Sequence, residues 1–225
     1  MKKQAVIIGS DGYIGSALYK ELQDQFFDVH PLDISNGFDA TNYDLYPMLN
    51  ASDADVVYCC FGKDHHIISN AAEPLDDRFS DFYTILDYFK LNVDAVAHIA
   101  RYLEQSGFKG SLVVLNSIYG KTIPPMMLYD TPKDIGYSVS KYALTSLLRQ
   151  LSFRVGFPIV NVILAPVENP LLDQEFYQRI RTRFPGRRLI SLPHLISQLV
   201  LIPSSQSKLD QDLKYKEIDI TNGFV

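Results

Sequence analysis

Tyr137-Ser138-Val139-Ser140-Lys141 sets a phenol and an ammonium four residues apart, inside a segment with helical patterning from about Gly136 to Val155. Four residues make about one helical turn, so the two groups share a face. A cation beside a phenol favours the phenolate and lowers tyrosine's pKa from its usual value of about 10. Such a tyrosine can donate or accept a proton near neutral pH. The same spacing also describes a packing tyrosine beside a solvated lysine, so the pair points to chemistry only if the remainder of the chain brings partners to it.

The elements that must do so alternate strand and helix. Ala5 to Ile8 is a continuous apolar run, the pattern of a parallel strand covered on both faces. Gly9-Ser10-Asp11-Gly12-Tyr13-Ile14-Gly15 follows, and then Ala17, Leu18, Leu22 and Phe26 recur at helical spacing. A turn with glycines at Gly9, Gly12 and Gly15 lets the backbone come close to a pyrophosphate, with the helix N-terminus presenting free N–H groups to it. The second strand, Phe27 to Asp33, ends on an acid eighteen positions past Gly15. A carboxylate there can accept hydrogen bonds from adenosine ribose hydroxyls. It would repel a 2′-phosphate, Ile34, Ser35 and Asn36 offer no cation to hold one, and Asp11 adds negative charge. NAD is therefore favoured over NADP. The plainer alternative for Asp33 is a turn residue after a strand.

Phe38-Asp39-Ala40 reads as a short third strand, followed by a helix around Tyr43 to Leu49. Asp55 to Gly62 reads as a fourth strand running into a glycine turn. The His65-His66 pair beyond it shares no face and has no cysteine-histidine spacing around it, so no metal site is expected. Phe79 to Gln105 is helical in period and carries Asn92, either a satisfied core amide or a site residue. Ser111 to Ser117 is a fifth strand with Ser117 at its carboxyl end, where ligands bind in open parallel sheets. Ile118 to Ile135, rich in Pro124, Pro125, Met126, Met127, Tyr129 and Pro132, reads as a substrate-facing loop or a surface excursion. Ile159 to Ala165 is the sixth strand. Leu171 to Arg183 is helical and leads into a basic cluster of Arg179, Arg181, Arg183, Arg187 and Arg188, either a solvated face or a seat for an anionic substrate group. Pro193 to Leu201 is a last helix and Tyr215 to Ile220 a last strand. The expected architecture is a single α/β domain over residues 1–225, a Rossmann-like doubly wound parallel sheet with substrate loops at about 118–135 and 168–188.

Bulk properties narrow the function classes. The 225 residues are 47% hydrophobic and 21% charged, with net charge −5. An isoelectric point near 5.5 leaves no basic footprint for nucleic acid. No apolar run reaches the roughly 18 residues of a membrane span, and the first apolar stretch is too short for a signal-peptide core. Cys59 and Cys60 are adjacent and staple no distant segments, so reduced thiols and a cytoplasmic setting are expected.

Taken in order, these motifs resemble the short-chain dehydrogenase/reductase family in its short single-domain branch, over the full length of the chain. Gly9, Gly12 and Gly15 resemble its cofactor glycines, with an even spacing more like the larger members that modify sugar nucleotides. Asp33 matches the NAD-selecting acid and Asp39-Ala40 the adenine-side acid. Asn92, Ser117, Tyr137 and Lys141 match the catalytic tetrad. Pro185-Gly186-Arg187-Arg188 with Leu192-Pro193 resembles the segment before the last helix, and Ile218 to Gly223 the closing strand and turn. Two departures stand out. The usual Asn-Asn-Ala-Gly is Cys59-Cys60-Phe61-Gly62, so the adenosine-side wall of Cys60, Phe61 and Gly62 must differ. The usual Pro-Gly after the sixth strand is Pro166-Val167, with no threonine following to hold the nicotinamide amide. The long Ser117 to Tyr137 separation and the Ile118-Tyr119-Gly120 turn look like a subgroup working on bacterial surface-sugar precursors.

The resemblance implies an NAD-dependent oxidoreductase for a small-molecule alcohol, carbonyl or sugar. Tyr137 would be the acid/base and Lys141 its modulator and a ribose ligand. Ser117 would bond the reacting oxygen, and Asn92 would hold a water that links Lys141 to solvent. It also implies a homodimer or homotetramer pairing the two long central helices. Two other readings stay open: a family member that has lost chemistry and serves as an NAD-binding partner protein, and an epimerase or lyase that uses bound NAD without net redox.

Overall fold

The computed structural model describes residues 2–62, 81–123, 135–172, 174–183, 188–205 and 214–221. Six parallel strands form one sheet in the order β2-β1-β3-β4-β5-β6. In chain order these are β1 (Gln4–Ile8), β2 (Asp28–Leu32), β3 (Val56–Cys59), β4 (Ser111–Ser117), β5 (Ile159–Leu164) and β6 (Tyr215–Ile220). The helices between them are α1 (Tyr13–Asp24), α2 (Asp81–Phe89), α3 (Ala95–Gln105), α4 (Ile135–Leu151), α5 (Gln174–Arg183) and α6 (Leu192–Ser205).

Every residue of β3, β4 and β5 is buried. Such strands are continuous apolar runs because helices cover both sheet faces. On one face Val6, Ile8, Val57 and Val114 pack with Val96, Ile99 and Leu103 of α3 and Leu144 and Leu148 of α4. On the other, Ile7, Val56, Tyr58 and Val113 pack with Leu18 and Leu22 of α1 and Leu195 and Leu199 of α6. The chain runs from β1 outward to β2 and returns to β3 on the opposite side of β1. That reversal opens a crevice beyond the carboxyl ends of β1 and β3, where open α/β sheets bind ligands.

The expected third strand at Phe38-Asp39-Ala40 does not form. Gly37 turns the chain with φ 92°, and the Phe38 N–H donates back to the Asp33 carbonyl at 2.9 Å. The Asp39 carboxylate accepts from the Thr41 N–H and hydroxyl, both at 2.8 Å, and its carbonyl accepts from the Asn42 N–H. These local bonds outcompete a ladder. Phe38 and Ala40 are still buried on either side of Asp39, which is why the stretch mimics a strand. β2 is therefore one of the two sheet edges, with β6 the other. Asp28 donates to Lys3 and the Leu32 carbonyl accepts from Gly9, so these even positions face β1. Pro31 faces outward, and its carbonyl accepts from the Asn36 amide at 3.2 Å.

Other boundaries shift modestly. Tyr43–Leu49 is a 3-10 helix containing Pro47. The long helix expected from Phe79 to Gln105 is interrupted by a π turn at Lys90–Asp94, between α2 and α3. The turn after α1 holds a strained residue: Phe26 has φ 63° and is 76% exposed. The left-handed region costs a residue with a Cβ about 1–2 kcal/mol, and little burial would be lost by truncation. Phe26→Gly is expected to raise stability by roughly 0.5–1 kcal/mol after glycine's own entropy cost, or about 2 °C in Tm by calorimetry. A lower Tm would show that the Phe26 ring contributes packing that outweighs the strain.

Candidate active site

The catalytic residues predicted from sequence converge at the carboxyl end of the sheet. Lys141 is buried within α4, and its Nζ lies 5.7 Å from the centre of the Tyr137 ring one turn earlier. Asn92 is buried in the π turn, a local widening common at functional positions. Its amide donates to the Ser140 hydroxyl at 3.0 Å, and that hydroxyl donates to the Tyr137 carbonyl at 2.8 Å. Gly62 lies between the two elements: a methyl group there would sit 3.4 Å from Lys141 Nζ and 3.5 Å from Asn92 Oδ1. Three segments far apart in sequence thus meet at one point.

Ser117 ends β4. Its hydroxyl caps the next turn, accepting from the Tyr119 N–H at 3.2 Å, and its own N–H donates to Asn116 Oδ1 at 2.8 Å. Tyr119 sets its ring edge-on to Tyr137 at 6.4 Å, and Tyr88 of α2 does the same at 6.3 Å. Both flanking tyrosines are buried, whereas Tyr137 is half-buried. Residues that the sequence reading passed over hold this geometry. The Asn116 amide donates to Thr145 Oγ1 at 2.9 Å, and Thr145 donates to the Lys141 carbonyl at 3.2 Å. A methyl group on Gly120 would lie 2.7 Å from Thr145 Oγ1 and 2.8 Å from the Lys141 carbonyl, so only glycine admits this approach of turn to helix. Tyr137, Lys141 and Thr145 recur every four residues, and Asn116 is polar directly after the apolar run Leu112 to Leu115; both signals were present in the sequence.

The glycine turn lies across the switch point. Gly9 (φ 87°) packs on the Cys60-Phe61 backbone, where a methyl group would meet the Phe61 nitrogen at 2.9 Å. A methyl group on Gly15 would lie 2.0 Å from the Gly9 carbonyl oxygen, so α1 can begin this close to β1 only with glycine there. Gly12 is the N-cap of α1 and supplies no side-chain cap, and no acid occupies the first helical turn. The helix's first N–H groups and its positive dipole end are left for an anion. Asp33 caps the short Ile34–Asn36 turn: Oδ1 accepts from the Ser35 N–H at 3.2 Å and Oδ2 from the Asp11 N–H at 3.1 Å. The Ser35 hydroxyl bonds the Asp11 carboxylate, drawing two acids to one spot. Tyr13 is partly exposed and Ile14 half-buried at the start of α1. Burial, then the neighbouring Tyr177 and Glu168, raise the Tyr13 phenol above its usual range, which brings the segment after β5 near the glycine turn. In that segment the Pro166 carbonyl accepts from the Ile190 N–H at 3.0 Å, and Val167 bridges Ile190 in parallel.

Asp39 and Ala40 lie outside any strand, and Asp39 Oδ1 accepts from the Thr41 N–H and hydroxyl. Burial pushes the Cys59 thiol up, and the Cys60 thiol up to about 12. Among the described residues no group of three His, Cys, Asp or Glu can hold a metal, and no helix is long and apolar enough to cross a membrane. His65, His66, Arg187 and the stretch from Pro124 to Pro132 lie outside the described residues. Of the other arginines, Arg179 reaches Glu175 at 3.7 Å, and Arg181 and Arg188 are exposed.

Residues 5–192 match the NAD dependent epimerase/dehydratase family. The chain belongs to that family. The resemblance to short-chain dehydrogenases/reductases read from the tetrad and the glycines stands with it. No curated protein matches the sequence. Among solved structures, a short chain dehydrogenase from Leptospira borgpetersenii serovar Hardjo-bovis with bound NAD+ aligns at TM-score 0.77 and 19% identity, over 100% of this chain and 93% of that one. A 4-hydroxyisoleucine dehydrogenase complexed with NADH aligns at 0.73 and 17%, over 100% and 99%. A small-chain dehydrogenase in complex with NADPH aligns at 0.74 and 12%, over 99% and 98%. At these identities the likeness is one of fold. In this family member a glycine turn that a Cβ would block leads into a helix start without a side-chain cap, and Asp33 accepts from the Asp11 N–H beside it.

Proposed function

We propose that this family member is an NAD-dependent oxidoreductase acting at an alcohol or carbonyl of a small, sugar-like substrate. The convergence of Tyr137, Lys141, Asn92 and Gly62 carries the proposal. The bound nicotinamide would supply a hydride acceptor or donor. Tyr137 passes a proton to or from the substrate oxygen, and Lys141 favours its phenolate and holds the adjoining ribose. The Ser117 hydroxyl, buried at the carboxyl end of β4, donates to the same oxygen and stabilises charge as it develops. Asn92 would hold a water that links Lys141 to solvent. The sugar-like substrate rests on the Ile118-Tyr119-Gly120 turn and its resemblance to surface-sugar enzymes.

NAD preference is supported by the Asp11 and Asp33 carboxylates that Ser35 draws together, since a 2′-phosphate would face both. Titration with NADH and NADPH, followed by dihydronicotinamide fluorescence against a protein without tryptophan, tests it. NADH is expected to bind at least about tenfold tighter, a difference of about 1.4 kcal/mol. Tighter NADPH binding would refute the role given to Asp33.

The family match favours a second reading, an epimerase or dehydratase that uses its NAD without net turnover. Cofactor that stays with the protein through gel filtration, with no NADH accumulating on substrate, would select it.

A homodimer is proposed through α4. Ile135, Val139 and Tyr142 recur at four- and three-residue spacing along it and are 42–45% exposed, and Leu86 on the adjoining α2 is 78% exposed. Light scattering is expected to give twice the chain mass, and Val139→Glu to halve it; a monomeric wild-type protein would count against this face.

A further inference from the structure

Lys121 opens the segment that follows the Ile118–Gly120 turn, and its side chain reaches across β5 to the edge strand. Its Nζ lies 2.5 Å from Glu217 Oε1, and 2.9 and 3.0 Å from the two oxygens of Asp219. Lys121 and Glu217 are each about four-fifths buried, which sets this pair apart from exposed surface pairs of negligible worth, while Asp219 is more exposed. Burial alone would lower the Lys121 ammonium's pKa, but hydrogen bonds to Glu217 and Asp219 outweigh it and hold it above the usual lysine range. Burial alone would raise Glu217, but hydrogen bonds from Lys121 and Tyr215 outweigh it and hold the carboxyl below its usual range.

The turn so anchored is tied at three further points. The Lys121 and Thr122 N–H groups both donate to the Ile118 carbonyl at 2.9 Å. Gly120 abuts the Lys141 carbonyl, and Tyr119 sets its ring against Tyr137 while its N–H is held by Ser117. A rotation of this turn cannot leave Tyr119 in place, and Tyr119 forms one wall of Tyr137.

We propose that Lys121 is a positioning residue: paired to Glu217 and Asp219 at the end of β6, it fixes the Ile118–Thr122 turn and, through Tyr119 and Ser117, the orientation of Tyr137. The inference rests on the role given above to Tyr137. It makes the outermost strand, which touches no reacting group, part of the site's support. Small displacements of a reacting group cost large factors in rate, about a hundredfold for 1 Å.

The full-length protein is labelled with 3-fluorotyrosine, and the Tyr119 and Tyr137 signals are assigned by Tyr119→Phe and Tyr137→Phe. Lys121→Met and, from the partner side, Asp219→Asn are expected to move both 19F resonances. The same variants should lower kcat about tenfold or more, leaving KM and NADH affinity near wild type. Lys121→Arg is expected to restore both readouts. Arg149→Met removes another ion pair to the same strand, the one from Arg149 Nη2 to Glu217 Oε2 at 3.2 Å, and is expected to move neither signal. Unchanged Tyr119 and Tyr137 resonances in folded Lys121→Met and Asp219→Asn would overturn the proposal, as would an equal shift in Arg149→Met. Undiminished turnover in Tyr137→Phe would instead overturn the role of Tyr137, while the fluorine spectra still decide whether Lys121 sets its orientation.

Discussion

Tyr137→Phe is expected to lower turnover by about a thousandfold while NADH affinity changes by less than about twofold. The estimate takes the middle of the range for a positioned acid or base, roughly 10²–10⁴. The ring would keep its place, because its contacts with Tyr88 and Tyr119 are edge contacts of the aromatic body. Only the proton-carrying oxygen is removed. Steady-state kinetics and a fluorescence titration on the same preparation check the two halves separately. Turnover within a few-fold of wild type would mean that another group moves the proton. Loss of NADH binding would mean that the phenol serves the cofactor instead.

The second large effect belongs to the glycine turn. Gly15→Ala would force a methyl group to within 2.0 Å of the Gly9 carbonyl oxygen, and neither atom belongs to a flexible side chain. Relief requires α1 to move away from β1. A cost of about 3 kcal/mol in stability follows from such overpacking, and NADH affinity should fall by about two orders of magnitude as the helix start moves off the crevice. Gly12→Ala provides the contrast, since its methyl group would lie 3.3 Å from the same oxygen and asks for a shift of only tenths of an ångström. Thermal melts and NADH titrations of both variants check the difference. Equal effects in the two would mean that the closeness of Gly15 to Gly9 does not govern the turn.

Much of this architecture could be read from the chain because buried parallel strands announce themselves. Ala5 to Ile8, Leu112 to Leu115 and Ile159 to Leu164 are apolar runs that only a covered sheet accommodates. The glycine spacing and the Tyr137 to Lys141 interval also speak locally. Phe38-Asp39-Ala40 misled because its alternating burial imitates a strand, while the bonds that decide its conformation come from Asp39 and Gly37. The π turn at Asn92 has no periodic signature, since one widened turn barely disturbs a pattern of apolar residues. The support that Gly120 and Lys121 give could not be read from the chain, because it depends on Lys141, Thr145, Glu217 and Asp219, 21 to 98 positions away.

The outward-facing proline of β2 has a bearing on how copies of this chain can meet. An edge strand is ordinarily a template, a row of free donors and acceptors onto which another backbone can add. Here Pro31 has no N–H to offer and its carbonyl is occupied by Asn36, so a strand approaching that side finds no repeating pattern to pair with. Growth of the sheet by recruitment of a second molecule is discouraged at this margin, and with it the fibrous or edge-to-edge association open to a longer, flatter border.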